Sequence, residues 1–198
     1  MKFLSLVTGT TNQIVTTAEA KTFLKVDNSA DDSLIDRYIL MASTYLEQYT
    51  NRSFLDSSWQ LSLDESDVTG TSIELPRAPL SSVTSVSYFE SDGTEQTFST
   101  DNYTVDITQQ PGRIFIAQGG SWPTDMRSNK AMLIEFVAGW GAAIADVDSF
   151  YKNMVQTAVL TLVGSMYDNR AGDQVEFATI PWTKPAEGLV QSIRVLTL

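Results

Sequence analysis

Residues 16–54, TTAEAKTFLKVDNSADDSLIDRYILMASTYLEQYTNRSF, decide how the rest of the chain is read. Thr16-Thr17-Ala18-Glu19 fits a capping box, in which the Thr16 hydroxyl accepts from the backbone three residues on and Glu19 reaches back. The pattern predicts a short helix to about Lys25. Ser29-Ala30-Asp31-Asp32 repeats the device, with two carboxylates where the positive end of a helix dipole favours them. Leu34, Ile35, Tyr38, Ile39, Ala42, Tyr45, Leu46 and Tyr49 then keep the i, i+3, i+4 spacing of an amphipathic helix, with Asp36, Arg37, Ser43 and Gln48 outward. No catalytic group stands out in this stretch.

After it the period changes from helical to two. Trp59, Leu61 and Leu63 alternate with Gln60, Ser62 and Asp64, and runs such as SIEL, SVTSVSYF, TEQTFS, NYTVDI, GRIFIA and AMLIEFVAG follow, divided by prolines and glycines. This spacing predicts an antiparallel sheet or small sandwich. In VSYFESDGTEQTF, Asp92-Gly93 tolerates the positive φ of a hairpin connection. WGAAIADVD ends the β region, and a helix is expected from about Asp148 to Asn169. Its sides are both apolar: Tyr151, Val155, Ala158, Leu162 and Met166 on one, Met154, Val159, Leu160 and Val163 on the other. Such a helix must be covered, either as the centre of its own domain or partly by a neighbouring subunit. Met154, Val155, Val159, Leu162, Val163 and Met166 are therefore the candidate subunit-packing residues. The last stretch, AGDQVEFATIPWTKPAEGLVQSIRVLTL, is too broken for a helix before Pro185 and reads as an extended tail. Its apolar content is too high for a solvated end, so it should bind either the body of the protein or a partner.

The fold class is thus α+β: a small bundle of about three helices with an inserted antiparallel β domain and an extended C-terminal tail. The expected boundaries are 1–56 for the N-terminal helices, 57–145 for the β domain, 146–170 for the third helix and 171–198 for the tail.

Composition narrows the chemistry. The chain has 198 residues and 42% hydrophobic content, with 13 Lys and Arg against 24 Asp and Glu, a formal charge of −11. That balance opposes tight nucleic-acid binding but would keep a passing polyanion from sticking. With no Cys and no His, thiolate chemistry, Cys-ligated zinc and every Ser-His-Asp arrangement are excluded. Polar residues from Thr8 interrupt the first apolar run before a secretory segment is complete, so no signal peptide is expected. MVQTAVLTLVGSMY is shorter than the ~20 residues a bilayer requires, so a soluble protein without membrane partners is expected.

The remaining candidates each have a plainer reading. Asp64, Glu65 and Asp67 offer oxygen ligands but lack the glycine turn and closing Glu of an EF-hand, so a solvated loop is favoured and no cofactor or metal is expected. Glu74, Glu90, Asp106 and Glu135 could supply a glycosidase carboxylate pair, although Glu135 alternates with Ile134 and Phe136 as an outward strand residue does. Trp59, Trp122, Trp140 and Trp182 could stack on sugars, the basis of an alternative reading as a carbohydrate-binding module or glycosidase of phage or bacterial origin. Arg52, Arg77, Arg113, Arg127 and Arg170 are scattered singly and form no basic patch.

The order of these segments resembles the head-to-tail connector, or adaptor, proteins of tailed bacteriophages, in the branch with a β domain between helices. The resemblance runs through residues 16–54, IELPRAPLSSVTSVSYFESDGTEQTF, SWP, IEFVAGWG and AVLTLVGSMYDNR, with no firm motif in the tail. It implies a structural virion protein without catalytic activity, a ring of twelve subunits below the portal, joining capsid to tail and lining the channel through which genomic DNA passes unbound. The implied partners are the portal protein, the next neck or tail-completion protein and copies of itself, at the head-tail junction of a virion assembled in the host cytoplasm. It also implies that the C-terminal segment reaches the portal, which makes Val175, Phe177, Ile180, Trp182, Leu189, Val190, Ile193 and Val195 the candidate docking residues.

Overall fold

A computed structural model describes residues 2–169 and 183–195, and the chain divides into two compact units. The helical unit takes Thr11–Phe54 and the described residues from Gly141 onward. The β unit takes Leu55–Trp140 together with a strand from the N-terminus.

In the helical unit, α1 (Thr17–Leu24) begins with the expected capping box: Thr16 Oγ1 accepts from Glu19 N–H at 3.2 Å, and Glu19 Oε2 accepts from Thr16 N–H at 2.8 Å. It ends at Lys25 in the left-handed region, φ 57°. The second capping box does not form. Helix α2 (Asp32–Thr50) has Asp31 at its N-cap with no side-chain cap. The carboxylates are drawn elsewhere, Asp31 accepting from the Tyr167 hydroxyl at 2.5 Å and Asp32 pairing with Lys21 at 2.7 Å. Tertiary partners outcompete the local cap. Along α2 the buried stripe is Ile35, Ile39, Ala42, Leu46 and Thr50, and Asn51 closes the helix at φ 55°, a conformation Asn tolerates.

Helix α3 (Ser149–Asp168) packs on α1, α2 and a fourth helix, α4 (Lys184–Val190). Val155, Ala158, Val159, Leu162, Val163 and Gly164 are all buried, and α3 is the centre of its own unit. A Cβ on Gly164 would stand 3.1 Å from the Phe23 ring, so the glycine permits the close approach of α1. From Lys184 the chain is helical where the sequence reading expects an extended tail. Pro185 lies in the first turn, where its missing N–H costs nothing, and a 3-10 turn, Gln191–Ile193, follows.

Among the described residues the β unit holds eight strands: β1 (Phe3–Thr8), β2 (Ser57–Leu63), β3 (Ser72–Glu74), β4 (Leu80–Phe89), β5 (Glu95–Thr97), β6 (Tyr103–Asp106), β7 (Arg113–Ile116) and β8 (Met132–Ala138). They form a five-stranded antiparallel sheet in the order β1-β2-β8-β4-β5 and a three-stranded sheet in the order β3-β7-β6. Alternation sets the register: Trp59, Leu61 and Leu63 stand opposite Phe136, Ile134 and Met132. These side chains join Ile73, Leu75, Ile114, Phe98 and Trp122 in one apolar core. The β4–β5 hairpin turns at Asp92-Gly93 with Gly93 at φ 90°. Gly139 is required for a different reason, because a Cβ there would lie 2.4 Å from the backbone nitrogen of Asp56.

Strand β1 changes the expected boundary. The sequence reading groups residues 1–56 with the helices, whereas Phe3–Thr8 pairs with Ser58–Ser62 of β2. The consecutive Leu6-Val7 breaks the period-two pattern, and its partner lies more than fifty residues away, so no local pattern announces it.

Candidate assembly interface

Several of the acidic candidates make contacts within the fold. Asp64 Oδ1 accepts from Lys130 N–H at 2.9 Å and Asp67 Oδ2 from Asp64 N–H at 3.3 Å, fixing a loop. Among the described residues no group of three or more His, Cys, Asp or Glu could hold a metal ion. Glu74 and Asp106 both stand opposite Arg113 across the three-stranded sheet, with Glu74 paired to it at 2.9 Å. The Arg113–Glu74 ion pair ties β7 to β3 within the three-stranded sheet. Hydrogen bonds from the Thr108 hydroxyl and backbone hold the Asp106 carboxyl below its usual range. Glu135 belongs to the other sheet and accepts from Gln60 Nε2 at 3.1 Å and Ser85 Oγ at 3.4 Å. It lines a pocket of about 340 Å³ together with Gln60, Ser85, Val86, Glu95 and Leu133, a surface of mixed polar and apolar character.

Trp59 and Trp122 pack within the β unit. Trp122 is 8% exposed, its Nε1 donates to the Gly70 carbonyl at 3.0 Å, and its ring lies 5.6 Å from Phe98. Trp59 is partly buried beneath the Arg77 guanidinium, 4.7 Å from its ring centroid. Trp182 lies outside the described residues.

Of the candidate subunit-packing residues, Val155, Val159, Leu162 and Val163 are buried within their own unit, leaving Met154 and Met166 partly exposed. The physical reason is that the helices α1, α2 and α4 need one central apolar rod to pack on, and α3 fills that place. Of the candidate docking residues, Val175, Phe177, Ile180 and Trp182 lie outside the described residues. Val190, Ile193 and Val195 are buried in the bundle, and Leu189 is 39% exposed.

A strap of polar contacts holds this C-terminal segment. The Val195 N–H donates to the Thr50 carbonyl at 2.9 Å, Asn51 Nδ2 to the Val195 carbonyl at 3.0 Å and Arg52 Nε to the Ile193 carbonyl. On the same side Tyr45 and Tyr49 stack, the Tyr45 hydroxyl donating to Glu187 at 2.5 Å and the Tyr49 hydroxyl to Gln191. Burial, followed by the Glu187 hydrogen bond, pushes the Tyr45 phenol up. Arg52 is buried too, and burial lowers its pKa.

The surfaces left for contact are ones that periodicity passes over. In the helical unit Leu40 and Met41 are 67% and 57% exposed on the outward side of α2, and Phe150 is 62% exposed at the start of α3. They fall outside the apolar stripe, which is why a pattern search for the core discards them. In the β unit, β1 exposes Phe3, Leu6 and Val7.

One β unit and one helical unit make an α+β protein, with exposed apolar side chains on each. Residues 15–110, just under half of the chain, match the family model described as "Phage gp6-like head-tail connector protein". The solved structures agree in fold. A chain of "Neck of empty GTA particle computed with C6 symmetry" is similar with a TM-score of 0.78 at 21% identity, over 99% of this chain and 97% of that one. Chains of "Virion of native gene transfer agent (GTA) particle" and "Neck of native GTA particle computed with C12 symmetry" each give a TM-score of 0.77, at 22% and 21% identity and the same coverage. No curated protein sequence matches the chain.

Proposed function

We propose that this protein is a non-catalytic head-tail connector that forms a homo-oligomeric ring beneath the portal, at the head-tail junction of a virion. The observation that carries the reading is the connector-family match across residues 15–110, which spans both helical and β segments. The similar chains from particle necks computed with C6 and C12 symmetry support a ring, with twelve subunits as the working number. The ring contacts are assigned to Leu40, Met41 and Phe150, with Met154 and Met166 beside them, because the rest of α3 is committed to the bundle. Portal docking is assigned to Leu189 and the stretch bearing Val175, Phe177, Ile180 and Trp182. The charge of −11 suits a channel through which DNA passes without binding.

Mass measurement in solution and electron microscopy of the protein, alone and mixed with portal particles, test this reading. A closed oligomer, formed alone or on the portal, is the expected result. A strict monomer that never associates with portal particles overturns it.

A further inference from the structure

The four sheet edges of the β unit are not alike. The outer strands β5, β3 and β6 have three, three and four residues, and carry Glu95, Glu74 and Asp106 respectively. Short length and an edge charge are the usual protections against unwanted strand pairing. The fourth edge strand, β1, has six residues, Phe3-Leu4-Ser5-Leu6-Val7-Thr8, with no charge, proline or glycine. Its one protective device is the register shift between Leu6 and Thr8. Phe3, Leu6 and Val7 are 62%, 53% and 53% exposed, and because side chains alternate along a strand, apolar surface is open on both of its faces. Among the described residues β1 pairs with β2 alone, and an open row of backbone donors and acceptors flanked by apolar side chains is what an extended segment recognises in strand addition.

We propose that the outer edge of β1 docks an extended segment of a different virion protein, which joins the five-stranded sheet as a sixth strand through alternating apolar side chains and basic flanks. A second copy of this chain fits less well on two counts. Pairing β1 with β1 is isologous and closes a pair instead of propagating around a ring, while the other edges of a neighbouring copy are short and carry carboxylates. Charge points the same way. From Leu55 to Trp140, twelve Asp and Glu stand against four Lys and Arg, so a like-charged copy is repelled and a strand flanked by Lys or Arg is drawn in. The inference rests on the connector reading, since it takes its partner from the assembled neck.

The test compares amide exchange of residues 3–8 in the free chain and in neck particles assembled with portal, using wild type and L6K. Leu6 is exposed, so L6K guards the edge and leaves the melting of the free chain unchanged. The chain has no cysteine, so L6C carrying a photo-crosslinker identifies the neighbour in the particle by mass spectrometry. The expected result is exchange slowed about a hundredfold on assembly, as for a newly hydrogen-bonded strand. It is accompanied by crosslinks to an extended segment of another protein and by loss of that contact in L6K. Incorporation with unchanged exchange, crosslinks to β1 of a second copy, or L6K particles with the same protection each overturn the inference alone. A chain that never enters the neck overturns the connector reading as well.

Discussion

Replacing Leu162 by Ala separates a core helix from a helix that waits for another subunit. Leu162 is fully buried on α3 within the helical unit, so its side chain is covered before any subunit contact forms. The substitution removes three buried carbon groups worth about 0.8 kcal/mol each, about 2.4 kcal/mol in transfer alone, and the residual cavity raises the cost to about 3 kcal/mol. With a urea slope of about 2 kcal/mol per molar, the midpoint of the helical unit falls by about 1.5 M. Far-ultraviolet circular dichroism follows this transition, because the helical signal comes chiefly from that unit. The measurement is made at several protein concentrations. The fall should be independent of concentration, since the lost contacts lie within one chain. A cost under about 1 kcal/mol in dilute protein, growing only as oligomers form, would refute the placement of α3 as a core helix.

Further outcomes are expected elsewhere. Gly139→Ala places a Cβ 2.4 Å from the Asp56 nitrogen, where backbone cannot yield cheaply, and should destabilise the β unit by about 1–3 kcal/mol in a denaturant titration followed by tryptophan fluorescence. Thr16→Ala should cost about 1 kcal/mol, and a double-mutant cycle with Glu19→Ala should show positive coupling because the two caps are reciprocal. Tyr45 has its folded pKa raised above the unfolded value of about 10. Its contribution is therefore fully present below pH 10 and is lost as pH rises through the folded pKa. Alkaline titration of stability should show that fall in wild type and a shallower one in Tyr45→Phe; identical slopes would remove Tyr45 as the cause.

Local patterns carried much of the architecture because the forces behind them are local. The Thr16 cap involves residues three apart, and the α2 stripe and the β2 alternation each express one element's burial on one side. The same logic explains the failures. Asp31 satisfies its carboxylate with Tyr167, 136 residues away, and no local rule can weigh that bond against a cap. For α3 the pattern demanded a cover and was silent about its source; α1, α2 and α4 supply it.

From sequence alone came the α+β class, the position of the β region between helices, the exclusion of His and Cys chemistry and the connector resemblance. The first three follow from composition or from short-range periodicity, which burial imposes wherever the chain folds, and the last from the likeness in the order of the segments. The three-dimensional arrangement decided which apolar residues remain for partners. Val159 and Leu162 disappeared into the bundle while Leu40, Met41 and the edge of β1 stayed open. A side chain's hydrophobicity is written in the sequence, but its exposure depends on which distant segment arrives to cover it.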